Sequence, residues 1–256
     1  MKKYGLFCLV LILTLLISAC GTSNTANDKS KGEKIYKVGV DTTYPPFEFK
    51  DGNDYKGIDI DLINAIAKNQ GFKIELSPMD FGGIIPAMQA NQLDVAIAGM
   101  SITDERKKIV DFSDPYFDAG LIVVVKNDNT TIKSADDLKG KTVAVKKGTS
   151  GAKFAEDNAV KLGYKVVQFN DSPAMFQEVS NGNADALLED YPVISYAIAQ
   201  KDLGLKTVGD RLNGDQYGIA LLKGQNTDLL KKIDAGLAEL KKDGTYDKII
   251  KKYLGK

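Results

Sequence analysis

The chain has 256 residues, with 34 acidic and 34 basic side chains and neither histidine nor tryptophan. Balanced charge argues against a nucleic-acid binder, which carries a basic excess or stripe. Without histidine, Ser-His-Asp and Cys-His catalysis and the common zinc sites are excluded. The length suits one large domain or two of roughly 100 residues each.

The first elements are a targeting pattern. Lys2 and Lys3 precede a 16-residue apolar run, "YGLFCLVLILTLLISA". That run is short of the roughly 20 residues a spanning helix needs. A basic start, a short apolar run and small residues before a boundary read as a secretory signal over residues 1–19. The boundary Ile17-Ser18-Ala19-Cys20 resembles the lipobox of bacterial lipoproteins, which implies acylation of Cys20 as the new N-terminus. Cleavage would leave 32 basic against 34 acidic side chains, a charge of −2. Cys8 would be lost and Cys20 lipidated, leaving no free thiol to oxidise outside the cytoplasm. Residues 21–34, "GTSNTANDKSKGEK", are small and polar. With Cys20 they form a flexible tether of roughly 20 Å r.m.s.. The expected location is the outer face of the cell membrane, of the Gram-positive type, held by lipid at Cys20.

From Ile35 strand and helix patterns alternate. "YKVGV" reads as a strand. "DIDLINAIAKNQG" reads as a helix with Ile60, Leu62, Ile63, Ile66 and Ala67 on its apolar face, stopped by Gly71. "FKIEL" is a strand, "FGGIIPAMQANQ" a short helix, "LDVAIAG" and "LIVVVK" strands. The pattern then restarts with "KTVAV", "SGAKFAEDNAVKLG", "KVVQF", "SPAMFQEVSNG", "DALLED" and "PVISYAIAQ". It closes with "YGIALLK", a helix over 227–242 whose stripe is Leu229, Leu230, Ile233, Leu237 and Leu240, and a last helix near "YDKIIKKYL". Strands separated by helices predict parallel sheets with helices on both faces.

The restart is an internal echo. "KVGVD" matches "TVAVK", and "LDVAIAG" matches "ADALLED". In each pair the odd residue lies just past a strand's carboxyl end: Asp41 and Lys146, then Gly99 and Asp190. Open α/β sheets bind ligands at those ends. Two similar lobes facing each other would bring all four positions to one cleft.

"VGVDTTYPPFEF", "GIDIDLINAIAK", "PMDFGGIIPAMQANQLDVAIAGMSITDERKKIVDFSDPYF" and "AVKKGTSG" resemble the polar amino-acid solute-binding proteins of ABC importers, family 3, especially the glutamine-binding group. The likeness runs from about Lys34 to Lys256. The fold it implies is α/β: the two-lobed periplasmic-binding-protein-like (type II) fold, each lobe a sheet flanked by helices, with two hinge crossings. Lobe 1 is then 35–117 with 218–256, lobe 2 is 121–212, and the hinges lie at about 118–120 and 213–217.

Arg106 is one of only two arginines, beside Arg211. By composition it is a solvated charge among Asp104, Glu105, Lys107 and Lys108. The resemblance makes it the fork that clamps a ligand's α-carboxylate, a geometry lysine cannot match. Asp190, the Gly99 carbonyl and the Ser101 hydroxyl are implied acceptors for the α-ammonium; by default Asp190 is a helix cap. The N–H groups of Ser101 and Ser150 complete the carboxylate site, where Gly148-Thr149-Ser150-Gly151 opens a helix. Tyr44 and Phe81 align with the aromatics that sandwich the ligand's stem, while Phe47 reads as packing. Asp41 and Lys146 align with the side-chain end, one acceptor and one donor, which suits a carboxamide. Glu189 stands where the enterobacterial glutamine binder has histidine. It weakens the case for glutamate and leaves arginine open, and it faces either the cleft or solvent.

The expectation is therefore an extracytoplasmic lipoprotein that captures glutamine, or a related polar amino acid, by hinge closure and delivers it to an ABC permease. It performs no chemistry and needs no cofactor or metal; it is a monomer and binds no nucleic acid. Arginine or another cationic amino acid is the alternative ligand. A same-fold cyclohexadienyl dehydratase-like enzyme is the alternative class. "DGNDYKG" (51–57) lacks the ligand and glycine a calcium loop needs at Tyr55 and Lys56 and reads as a hairpin turn. "KGKT" (139–142) lacks the phosphate-loop glycine, since Ala135 holds that position.

Overall fold

A computed structural model of the chain describes residues 34–255. The signal at 1–19, Cys20 and the tether up to residue 33 lie outside the described residues. Strand β1, Ile35–Val40, is exposed at its start and buried over Val38–Val40. A small antiparallel sheet follows: β2 (Thr43–Tyr44), β3 (Glu48–Asp51) and β4 (Asp54–Lys56). The "DGNDYKG" stretch turns between β3 and β4, as its glycine and acidic residues predict.

Helix α1, Ile58–Gln70, buries Ile60, Leu62, Ile63, Ile66 and Ala67 and ends at Gly71 in the left-handed region. Strand β5 (Lys73–Pro78), helix α2 (Phe81–Gln89), β6 (Val95–Ala96) and β7 (Val110–Phe112) complete the first half. The strand expected over "LDVAIAG" shrinks to Val95–Ala96. The chain bends away toward Gly99, at φ 53°, although Ile97 N still bonds Gly39 O at 3.1 Å.

After β8 (Phe117–Asp118) the second half runs β9 (Leu121–Lys126), β10 (Thr142–Lys146), α3 (Ser150–Leu162), β11 (Lys165–Phe169), α4 (Ser172–Ser180), β12 (Ala186–Asp190), α5 (Tyr191–Gln200) and β13 (Leu205–Val208). The chain returns through β14 (Gln216–Tyr217) to β15 (Ala220–Leu222), α6 (Thr227–Lys242) and α7 (Thr245–Leu254).

The internal echo is a topological one. One sheet is ordered β5-β1-β6-β15-β7, the other β11-β10-β12-β9-β13. The echo partners β1 and β10 hold the same place, as do β6 and β12. Both sheets are mixed, which corrects the expectation of parallel sheets. β15 pairs antiparallel with β6 and β7, and β9 with β12 and β13. Each of these two strands arrives from the other lobe without a helical crossover, so nothing forces it parallel. The crossings themselves pair: β8 and β14 form an antiparallel ribbon, with Ala119 N bonded to Asp215 O at 2.9 Å.

Helix α6 lays Leu229, Ile233, Leu237 and Leu240 into the core of the first lobe, whereas Leu230 is only partly buried. Each fully buried leucine or isoleucine contributes roughly 1.5–3 kcal/mol. Gly236 lets α1 approach: a Cβ there would stand 2.9 Å from Ile66 Cγ2. Tyr253 of α7 accepts from Gly57 N and donates to Asp61 Oδ2, tying the last helix to the start of α1.

Gly57 sits at φ 132°, and a Cβ there would overlap the Phe47 carbonyl. Gly57→Ala should therefore cost about 3 kcal/mol and lower the melting temperature by roughly 5–10 °C. Gly71→Ala, with open space around its Cβ, should cost only about 1 kcal/mol. Thermal unfolding of both variants checks the contrast.

Candidate ligand-binding site

The expected site residues come from separate elements but converge at strand ends. Asp41 follows β1, Lys146 ends β10, and Glu189 and Asp190 end β12. Gly99 and Ser101 follow β6. Tyr44 belongs to β2, Phe81 opens α2, Thr149 caps α3 and Ser150 begins it. Arg106 opens a single 3-10 turn, Arg106–Lys108. The structure gathers Tyr44, Phe81, Gly99, Ser101, Arg106, Lys146, Thr149, Ser150 and Asp190 around one cavity between the lobes, with a free volume of about 10 Å³. Asp41 and Glu189 stand just behind it, each bonded to a lining side chain.

Arg106 is 8% exposed, while its neighbours Asp104, Glu105, Lys107 and Lys108 face solvent. The reading of Arg106 as a solvated charge is thereby corrected. Its Nη1 donates to Ser101 O at 2.7 Å and its Nη2 to Gly148 O at 3.0 Å, across the cleft. The guanidinium stands 5.3 Å from the Phe81 ring centre. Burial lowers its pKa; Asp190 and Asp215 oppose that from a distance. Both side-chain bonds go to carbonyls, so no carboxylate among the described residues neutralises the fork.

Asp190 stands at the cap position of α5, yet its side chain makes no capping bond. This corrects the default reading of a helix cap. Oδ2 instead accepts from the Tyr217 hydroxyl at 2.6 Å and the Tyr44 hydroxyl at 2.7 Å. Oδ1 is buried with no hydrogen-bond partner among the described residues. Burial raises the Asp190 pKa, held back by these hydroxyls and by Arg106.

Glu189 turns inward and is 4% exposed, so the solvent-facing option is out. It accepts from Ser172 Oγ at 2.7 Å and from Asp190 N at 2.9 Å. Its Oε1 also lies 3.0 Å from the Tyr44 hydroxyl oxygen. Tyr44 has one proton, and Asp190 is its nearer acceptor. A contact between Tyr44 and Glu189 then needs a proton on Glu189. The electrostatics agree: burial first, then Asp190, push the Glu189 carboxyl up to about 7.

Lys146 is 2% exposed and forms a buried ion pair with Asp41. Asp41 also accepts from Thr43 N at 2.9 Å and Thr43 Oγ1 at 2.7 Å. The Lys146 ammonium lies 4.5 Å from the Tyr44 ring centre and 5.8 Å from that of Phe81. Phe47 packs edge-on against Phe117 and Tyr217 in the core, the packing role its sequence position predicts.

The Thr149 hydroxyl donates to Lys146 O at 2.7 Å and accepts from Ala152 N at 3.0 Å. Both functions are spent on the backbone, so Thr149 shapes the loop. Ser101 Oγ and Ser150 Oγ meet across the cleft at 3.2 Å. Gly148, at φ 77°, lets the lobes touch, because a Cβ there would stand 2.9 Å from Gly82 Cα.

Sequence reasoning missed Tyr217. It lies in the crossing strand β14 and is fully buried. Nothing in "DQYGIA" marks it, because its role depends on a chain reversal that brings it to Asp190. A larger groove of about 540 Å³ lies between the β2–β3 region and helices α4 and α5. Its charged lining residues, Lys201 and Asp202, are exposed, so it offers none of the buried charge that marks the smaller cavity.

Residues 36–256 match the profile of the bacterial extracellular solute-binding proteins, family 3. The chain is 34% identical over 254 residues to the arginine-binding extracellular protein ArtP of Bacillus subtilis (strain 168), covering 99% of this chain and 98% of ArtP. An ancestral arginine-binding protein is 50% identical in two solved structures. Bound to arginine, it gives a TM-score of 0.82 and covers 86% of this chain and 98% of its own. Bound to glutamine, the values are 0.80, 87% and 98%. An ancestral amino acid-binding protein described as a precursor of cyclohexadienyl dehydratase is 43% identical, with a TM-score of 0.78 over 86% of this chain and 95% of its own. With its two-lobed α/β fold and a charged cavity at the strand ends, the chain belongs to the bacterial extracellular solute-binding proteins of family 3.

Proposed function

We propose that the protein captures a free amino acid, glutamine first, between its lobes and delivers it to an ABC importer. One observation carries this reading. Among the described residues, a buried guanidinium without an ionic partner on one lobe shares a cavity with a buried, unpartnered carboxylate oxygen, Asp190 Oδ1, on the other. An α-carboxylate and an α-ammonium satisfy the two at once, and unpaired buried charge is costly otherwise. Gly99 O and Ser101 Oγ are the further acceptors for the ammonium. The N–H groups of Ser101 and Ser150 add to Arg106 around the carboxylate, and Tyr44 and Phe81 flank the stem.

At the far end Lys146 decides between ligands. A carboxamide oxygen accepts from its ammonium, and the carboxamide NH₂ gives to Asp41. A cationic side chain would meet the ammonium instead. The second reading is arginine, favoured by the relatives' names and by the three buried acids Asp41, Glu189 and Asp190 around the cavity.

With only about 10 Å³ of free space, the cavity is far below the roughly 300 Å³ at the low end of ligand pockets. Capture then requires the lobes to part, at hinges about 118–120 and 213–217, and to close on the ligand. Lobe 1 would be 35–117 with 218–256, and lobe 2 would be 121–212. Roughly ten ligand heavy atoms at about 0.8–0.9 kcal/mol each give a dissociation constant near micromolar. We place the protein outside the cell membrane, anchored by lipid at Cys20, as a monomer.

Calorimetric titration against the twenty amino acids tests the reading; glutamine should bind most tightly, and arginine ranking first would establish the second reading. Arg106→Lys should weaken every amino acid by about 10- to 100-fold, because the fork is lost and the carboxylate is common to all. Asp41→Asn should change the glutamine-to-glutamate ratio more than overall affinity. Equal losses across all ligands in both variants would overturn these roles.

The Glu189 carboxyl gives a pH prediction. Its pKa is raised in the folded protein, from the ordinary 4.5 to about 7. The folded state therefore holds a proton that the unfolded state releases, and stability falls as pH rises from about 4.5 through about 7. Glu189→Gln should make that part of the stability curve shallower, with Asp59 and Glu48 supplying the remaining slope, measured by urea unfolding at several pH values.

A further inference from the structure

Behind Gly99 lies a second pair of acids, outside the cavity. Glu48 on β3 and Asp59 on α1 are both 0% exposed. Asp59 Oδ2 accepts from Gly99 N at 2.8 Å and from the Tyr116 hydroxyl at 2.9 Å. Asp59 Oδ1 and both Glu48 oxygens are buried, with no N–H or O–H donor to satisfy them among the described residues. The Asp59 N–H bonds Phe47 O at 2.9 Å, which sets Asp59 beside Glu48, and the electrostatics couple the two carboxyls. Two facing acids with no outside donor make a bond only if one keeps its proton. Asp59 already accepts two bonds, which favours its charged form, so the proton belongs to Glu48.

We propose that Glu48 is held as a neutral acid donating to Asp59, and that the pair is the positioning unit that fixes Gly99 at the ligand's ammonium. The second half rests on the reading of Gly99 as an ammonium acceptor. Gly99, at φ 53° with the Tyr44 ring 2.7 Å from where a Cβ would be, is a position only glycine fits; with no side chain to anchor it, its N–H bond to Asp59 is its side-chain tether. The groups facing the pair agree with the proton's place. Burial, then the Asp59 charge, raise the Glu48 pKa well above its ordinary value; Asp41 adds to this and Lys146 opposes it. Burial pushes Asp59 up to about 6, against its bonds with Glu48, Gly99 and Tyr116. At neutral pH the pair then carries one proton and one charge. Ionising both would drive the carboxylates apart and loosen Asp59 from Gly99.

The test uses the full-length chain in detergent, labelled with ¹³C at glutamate carboxyls, in a Glu189→Gln background so that only one buried glutamate reports. One glutamate carbon should show the shift of a protonated acid at pH 7, and Glu48→Gln should remove it. A fully ionised glutamate set at pH 7 overturns the proposal whether or not any amino acid binds. With glutamine as ligand, Glu48→Gln, an isosteric donor, should stay within about threefold of the parent at pH 7. Glu48→Met, which donates nothing, should lose about tenfold or more. As pH rises, the parent should lose affinity relative to Glu48→Gln; the ligand's own amine titrates equally in both. Equal losses in the two variants would overturn the positioning role. If Glu48→Met does not fold, the carboxyl shift and the parent-to-Glu48→Gln pH ratio still decide. If glutamine does not bind, the Gly99 amide resonance is read instead. It should move as the parent is taken to alkaline pH and stay fixed in Glu48→Gln; movement in both would overturn the proposal.

Discussion

A positive fork and a negative carboxylate, both taken out of water on opposite lobes, are the constraint around which this molecule is arranged. Arg106 and Asp190 are each at most 8% exposed, and neither is joined to the other by an ion pair. Desolvating an ion costs several kcal/mol unless something compensates. Arg106 finds partial compensation in the Ser101 and Gly148 carbonyls, and Asp190 in the Tyr44 and Tyr217 hydroxyls. Neither arrangement cancels the charge. A zwitterion does so at both ends, which gives the site a chemical definition before any side-chain preference is considered.

The rest of the fold serves that separation. Two sheets of the same strand order present their carboxyl ends to each other. The β8–β14 ribbon joins them with two strands, and Tyr217 sits in that ribbon with its hydroxyl on Asp190. The connection between lobes thus reaches the charged cavity directly. Cross-cleft bonds at Arg106–Gly148, Ser101–Ser150, Tyr44–Asp190 and Lys146–Asp41 hold the lobes closed.

Proton accounting gives the site a second layer. Tyr44 faces two acids with one hydroxyl proton, and Glu48 faces Asp59 with no donor to its carboxyl among the described residues. In both places adjacent buried carboxyls favour keeping a proton on one of the pair. The acidic surroundings therefore carry less negative charge than a count of carboxyls suggests. That matters for the electrostatics of the cavity, because buried negative charge favours a cationic group and hardly affects a neutral one.

Much of this was legible in the sequence. The 3.6-residue stripe of residues 227–242, the Gly71 stop and the repeated strand pattern follow from local periodicity and backbone preference. So does the placement of Asp41, Lys146 and Asp190 at strand ends. The residues that converge on the cavity were nameable because the motif "SITDERKKIVDFSDPY" and its partners carry a family resemblance. Tertiary structure decided what local chemistry leaves open. It turned Glu189 inward, freed Asp190 from helix capping and spent the Thr149 hydroxyl on its own backbone. It reversed β9 and β15 and brought Tyr217 to Asp190. Each of these depends on a contact between residues distant in the chain, such as Tyr44 with Asp190 or Ser172 with Glu189. Periodicity fixes which face of an element is buried; only the packing of one lobe on the other fixes which atom a buried side chain meets.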